Sequence, residues 1–388
     1  MKRRFLLTAY PDGALILAPF VLFLPLIVRG EALFWGTPAL QFIPWWTLAA
    51  NSLASGELPL WNPLSGMGAP LLANYQSALL YPPTWVSLLL GVVGGPGWMA
   101  WGISFLAAGH LAWAGLGMAR LGRRFDLPPL AQLIAGLAFS LSGYLAARAG
   151  FLSITVTAAW LPWLMLMVLR VSAGQASPQL DGGSGPDRRN RLMDLLGDGE
   201  HPLRLLTGLA AVLALQLLAG HAQTAWYSLL LAIAWAGYWG WSAAGWRGLL
   251  RAWLRLGIAG LLGGLIAAAQ LLPTAEYLLQ SQRAAQVDFE YAMTYSFWPW
   301  RFLGLVSPDL FGRPDLSSYW GYANFWEDAV YIGLLPFLLA LATGWRSIFR
   351  RKYALADPAR RLGRLCLAVL LAAFLLALGK NTPLFPWL

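Results

Sequence analysis

Apolar runs broken by short polar or basic stretches repeat along most of the chain, and their spacing predicts helices. Runs at 13–28, 98–119, 130–147, 151–169, 205–219, 223–243, 256–272, 329–343 and 365–378 give about nine candidate spans, since ~20 helical residues cross the hydrocarbon. The run at 85–93 is too short to span and predicts an interfacial or re-entrant segment. The expected fold is an all-α polytopic membrane protein, one transmembrane domain over 1–388 with two large external loops, at 31–83 and 273–328. Within the first loop, 40–53 has helical spacing and is expected to lie flat on the membrane. At 171–203 the apolar pattern gives way to Gly, Ser, Pro and charges, which predicts a flexible cytoplasmic loop.

Composition strengthens this picture. Apolar residues make up 58% of the 388 and charged residues 11%, against about 25% charged in soluble domains. The 22 Trp suit the headgroup level, where one end of the ring is wet and the other dry. A net charge of +10 would point to nucleic acid in a soluble protein. Here it reflects the Lys and Arg that cytoplasmic loops collect, and no nucleic-acid partner is expected. The basic start, Lys2, Arg3 and Arg4, followed by an apolar run resembles a signal peptide. No small-x-small cleavage site follows, so an uncleaved first helix with a cytoplasmic N-terminus is expected. That orientation leaves only Arg29, Arg148, Arg283, Arg301, Arg313 and Lys380 of the 27 Lys and Arg outside. The single Cys366 excludes an intramolecular disulfide.

The predicted cytoplasmic side offers no GxxxxGK[ST], no strand-led GxGxxG, no zinc-spaced His/Cys cluster and no GxSxG, which argues against a nucleotide-driven pump. The predicted external side holds the acids Glu31, Glu57, Glu276, Asp288, Glu290, Asp309, Asp315, Glu327 and Asp328. Amides and aromatics gather there too, among them Gln41, Trp45, Trp61, Asn62, Asn74 and Gln76. Amides and carboxylates bond sugar hydroxyls, aromatic faces cover sugar rings, a carboxylate can serve as general base, and Arg grips phosphate bidentately. Each residue also has an ordinary reading. Single Trp residues belong to the interfacial belt, and most loop acids are simply solvated. Glu31 can cap the first helix region, and Glu327 with Asp328 can mark the outer edge of the next span. Arg148, in a tight turn between spans, suits a phosphate clamp or a snorkelling helix end. His221 and Gln223, at another turn, suit substrate contact or a helix-turn hydrogen bond. His110, in mid-span, reads as a packed neutral imidazole.

The motifs LQFIPW at 40–45 and SGELPLWNPLSGMGAPLLANYQSALLYPP at 55–83 resemble the first external loop of YfhO-type bacterial membrane proteins. AGHAQTAWYSLL at 219–230, SPDLFG at 307–312 and GYANFWEDAVYIGLLP at 321–336 continue the match in order. The family is similar to the GT-C class of integral membrane glycosyltransferases. The resemblance implies transfer of a sugar from a polyprenyl-phosphate donor to a cell-surface glycan or polymer, such as a teichoic acid, at the outer face of the cell membrane. It implies Glu31, Asp309, Glu327 or Asp328 as the acid that activates the acceptor hydroxyl, and Arg148 or Arg301 on the donor phosphate. Gln41, Trp45, Trp61, Asn62, Asn74, Gln76, His221 and Gln223 would line the substrate. A divalent metal is compatible with such chemistry, but no residue pattern asks for one, and no cofactor is assigned. Two departures stand out. Where family members carry an acid one turn before Gln41, this chain has Thr37. Family members are also longer, and GKNTPLFPWL at 379–388 resembles a mid-protein loop, so a truncated form is expected. Two alternatives remain open on sequence: a transporter or flippase for lipid-linked glycans, and an inactive truncated relative.

Overall fold

Small residues decide how these helices meet. Lipid tails are as apolar as Leu, so helices in a membrane associate through close packing rather than through burial from water. In the computed structural model, which describes residues 2–173, 202–281, 293–321, 324–349 and 357–383, the tightest crossings fall on Gly and Ala. A Cβ on Gly136 would lie 2.9 Å from the Gly115 carbonyl oxygen, and one on Gly263 would lie 2.9 Å from that of Ala210.

The chain is mostly helical. α1 (Lys2–Leu22) and α2 (Leu24–Arg29) lead through a π turn at Pro38–Phe42 into α3 (Ile43–Ala54). A two-residue hairpin, β1 (Trp61–Asn62) with β2 (Ala69–Pro70), and a 3₁₀ turn at Tyr75–Ser77 follow. Then come α4 (Thr84–Arg124), α5 (Pro129–Ser140), α6 (Gly143–Ala147), α7 (Leu152–Ala159), α8 (Leu161–Ala173) and α9 (Pro202–Leu218). α10 (Ala222–Ile266), α11 (Ala268–Leu279), α12 (Phe325–Asp328), α13 (Leu334–Phe349) and α14 (Asp357–Ala377) complete the order.

Two of these helices double back on themselves. Gly95 in α4 has φ 74 and ψ −168, and Gly245 in α10 has φ 56 and ψ −139, a region open to glycine and costly for other residues. After the second break Trp253 Nε1 donates to the Ile233 carbonyl at 3.0 Å, although 20 residues of straight helix would set them about 30 Å apart. The reversal in α10 therefore separates the two apolar runs expected at 223–243 and 256–272. In α4, a Cβ on Gly102 would sit 2.9 Å from the Ser87 Cα. The short run at 85–93 thus folds back along the longer arm.

Among the described residues, four helical stretches are long and apolar enough to cross a membrane: Thr84–Arg124, Pro129–Ala147, Leu152–Ser172 and Ala222–Ile266. Leu152–Ser172 is the central one, with 78% of its most apolar window buried, against 22–33% for the others. The exposed faces of the others carry Leu, Val and Trp, the surface a lipid solvent tolerates. Four further apolar helices are shorter, at 10–17 residues. One expected span starts later than its apolar run: 329–333 is not helical, and the helix begins at Leu334. The second loop also starts later than Pro273 suggests. The chain kinks at Ala267, and Pro273 lies inside α11, which runs to Leu279. The loop expected at 171–203 lies almost wholly outside the described residues, as do Arg283, Asp288 and Glu290.

The two ends of the bundle differ. At one, Asp12 in α1 accepts from Arg120 Nη1 at 2.8 and 2.9 Å and from Arg123 Nη2 at 2.7 Å. At the other, the first loop packs as a lid. Trp46, 1% exposed, donates from Nε1 to the Ser77 carbonyl at 2.8 Å. Gln270 and Thr274 of α11 donate to the carbonyls of Leu72 and Ala73 at 2.8 and 3.0 Å. These bonds satisfy loop backbone that α11 would otherwise leave dry and unpaired.

Candidate functional site

Three pieces of chain meet at the lid end. The first runs through 31–38, where Thr37 Oγ1 donates to the Gly150 carbonyl at 2.7 Å. The second is the turn after α5. Ser142 caps α6, Arg148 closes it, and Thr155 Oγ1 holds the Arg148 carbonyl at 2.7 Å. The third carries α12, capped by Asn324, whose Oδ1 accepts the Glu327 amide at 3.1 Å. A bond from the Gly143 amide to the Tyr331 carbonyl, 2.6 Å, ties the third piece to the second.

This assembly brings Arg148, Glu327 and His221 together. Arg148 Nη2 lies 3.3 Å from Glu327 Oε1, with the Arg side chain 9% exposed and the Glu 38%. The Tyr144 ring lies under the guanidinium, 4.3 Å from its centre. Trp35 stacks on Trp326 at 5.7 Å, and Phe151 meets Trp326 edge-on at 5.2 Å. Trp35 is 77% exposed, so one indole face remains open on the stack with Trp326, the residue before Glu327. His221 caps α10: its Nδ1 accepts from the Thr224 amide at 3.2 Å and from the Thr224 hydroxyl at 2.8 Å. That fixes the proton on Nε2. Burial, then the Arg148 cation, push the imidazole below its ordinary pKa, so it is neutral at pH 7.

One residue along, a second pair has another character. Arg301 and Asp328 are 1% and 5% exposed. Arg301 Nε donates to Asp328 Oδ1, and Tyr319 Oη donates to Oδ2 at 2.5 Å. The Phe297 ring lies 5.0 Å from the guanidinium. Burial raises the Tyr319 phenol, partly offset by Arg301. With both carboxylate oxygens held in an enclosed site, Asp328 is placed as scaffold rather than as a base facing substrate. Arg301 is likewise enclosed, away from any phosphate at the surface.

The other expected site residues lie elsewhere. Glu31 is exposed and borders a small apolar pocket with Phe20, Phe23, Trp101 and Phe105 between α1 and α4. Asp309 is exposed and contributes to the field at Arg313, which pairs with Asp315. Trp61 lies across Gly68 in the hairpin, and Asn62 folds back on the Leu64 amide at 2.9 Å. Asn74 caps the 3₁₀ turn through the Gln76 amide at 3.2 Å. Gln76 itself is exposed, although its backbone packs against Gly220, next to His221. Tyr75, between them, donates to the Leu217 carbonyl, and burial pushes its phenol up to about 12. Gln223 is exposed and donates to Tyr227 Oη at 2.9 Å. Trp45 packs edge-on against Phe42 at 6.1 Å. Gln41 is half-buried, and its Oε1 has no hydrogen-bond partner among the described residues.

Trp35 and Tyr144 are the site residues that the sequence did not single out. Both look like members of an aromatic belt, and only the fold shows which ring stands over the cation. Among the described residues no three His, Cys, Asp or Glu gather within metal-binding reach. The fold and composition define a mostly helical chain with, among the described residues, four helices able to cross a bilayer, a multi-pass membrane protein by length and composition. No known protein family, curated protein or solved structure matches the chain.

Proposed function

We propose that the chain is an integral membrane glycosyltransferase. It takes a sugar from a polyprenyl-phosphate donor and passes it to a cell-surface glycan at the outer face, with the N-terminus and the arginine-rich end in the cytoplasm. One observation carries the reading: a buried Arg148, loosely paired to a half-exposed Glu327, whose neighbour Trp326 stacks on the open ring of Trp35, at one end of apolar helices. A lipid carrier presents its phosphate and sugar at that depth. Arg148 suits the phosphate oxygens, Trp35 suits the apolar face of a ring, and Glu327 suits the acceptor proton. The sequence resemblance to YfhO-type proteins points the same way. Thr37, in the place of the family acid, packs on the turn that holds Arg148, so Glu327 brings a carboxylate to that neighbourhood from the second loop.

The test is transfer of labelled sugar from a polyprenyl-phosphate donor by the purified full chain in lipid. The wild type transfers. Glu327→Gln loses at least about a hundredfold in rate, within the usual range for a general base, while Glu31→Gln and Asp309→Asn keep near wild-type rates. Movement of a lipid-linked sugar across liposomes without transfer would instead establish a flippase.

A further inference from the structure

The Arg148–Glu327 contact is a poor ion pair for such a buried cation. It rests on one N···O distance of 3.3 Å, longer than the about 2.7–2.9 Å of charge-assisted bonds. Among the described residues Glu327 is the one acid in ion-pair reach of Arg148. The other neighbours do not compete. Tyr144 offers a ring face, and His221 is held neutral with its Nδ1 lone pair committed to Thr224. A guanidinium this far from water gains from a counter-charge, and Glu327, itself partly exposed, supplies a modest one. A phosphate supplies it better, because two of its oxygens match the planar fork.

We infer that Glu327 is a resting latch on Arg148 that the donor phosphate displaces, so that the base is released only when donor is in place. This rests on the glycosyltransferase reading above. Before the donor binds, Glu327 neutralises Arg148. When the donor arrives, Arg148 turns its fork to the phosphate and Glu327, on the exposed side of the pair, swings free. A carboxylate no longer held by the guanidinium is free to accept a hydrogen bond from the acceptor hydroxyl. It takes the acceptor hydroxyl proton as the acceptor oxygen bonds the anomeric carbon. The bond from that carbon to the phosphate oxygen breaks, its electron pair leaves on the polyprenyl phosphate, and Arg148 holds that charge. Without donor the carboxylate stays occupied, which suppresses proton transfer to no purpose.

The experiment measures binding of polyprenyl phosphate to the full chain in nanodiscs, alongside sugar transfer. Removing a competing ion pair worth about 1 kcal/mol tightens binding about fivefold, so Glu327→Gln should bind the lipid about fivefold more tightly while transferring nothing. Glu327→Asp, which keeps the charge but shortens its reach, should also bind more tightly and retain part of the transfer. Arg148→Gln should lose binding and transfer together. Unchanged or weaker binding in both Glu327 variants, with transfer by the wild type intact, would overturn the latch and leave the transferase reading standing. Neither binding nor transfer by the wild type would overturn both.

Discussion

Glu327 and Asp328 are neighbours in sequence, and each pairs with an arginine, yet the two pairs do opposite work. Asp328 is enclosed, and two different donors hold its two oxygens. Glu327 sits on the rim with a single long contact. An acid held on both sides out of water fixes the second loop in place. An acid held once at the surface can be moved by whatever else offers negative charge. Burial and donor count separate scaffold from site here, where residue type and position do not.

The sharpest way to break this comparison is to remove one half of the enclosed pair. Arg301→Ala or Asp328→Ala should cost about 3–5 kcal/mol, the usual penalty for an orphaned buried charge, read as a fall in melting temperature in detergent. The double change Arg301→Met with Asp328→Leu should restore much of it. Next in size is the activity effect. Glu327→Gln should slow transfer by at least about a hundredfold, or ~2.7 kcal/mol of barrier, while costing about 1 kcal/mol or less of stability because the pair is partly exposed. Equal losses of stability at Glu327 and Asp328 would erase the distinction between them. Tyr319→Phe removes one bond to a carboxylate and should cost about 1–2 kcal/mol, visible as a smaller drop in melting temperature.

The smallest effect is on pH dependence. The folded His221 titrates below its ordinary 6.5, so the unfolded chain takes up this proton first as the pH falls. Its contribution to stability is therefore complete above about pH 6.5 and declines below it, until the folded imidazole also titrates. His221→Asn keeps a capping oxygen and should flatten the melting-temperature profile between pH 7 and 5. An unchanged slope would show that His221 does not carry that dependence.

Much of the architecture was legible because a bilayer demands long apolar helices. The helix expected at 40–53 appears as α3 with its π turn, and the short run at 85–93 folds back along the longer arm of α4. The site was only half legible. Arg148 and Glu327 drew attention as charges at the ends of apolar runs. No local pattern says that they touch, because the contact depends on how α6 and α12 dock through the Gly143–Tyr331 bond. Glu31 drew attention as the acid nearest Thr37. The chain after Gly30 instead places it beside the aromatic pocket between α1 and α4. Trp35 and Tyr144 carried no signal beyond being aromatic near an interface.

The reversal at Gly95 has one more effect. It lays the start of α4 against its own later turns, so Tyr81 comes opposite His110 and donates to its Nε2 at 2.7 Å. His110 Nδ1 donates to the Leu106 carbonyl at 2.7 Å, and Trp160 Nε1 donates to Tyr81 Oη at 2.8 Å. The histidine and its phenol partner thus lie within one local fold of the chain. Trp160, in the central helical stretch, closes this chain of bonds, so the register in which three polar side chains meet depends on the turn at that single glycine.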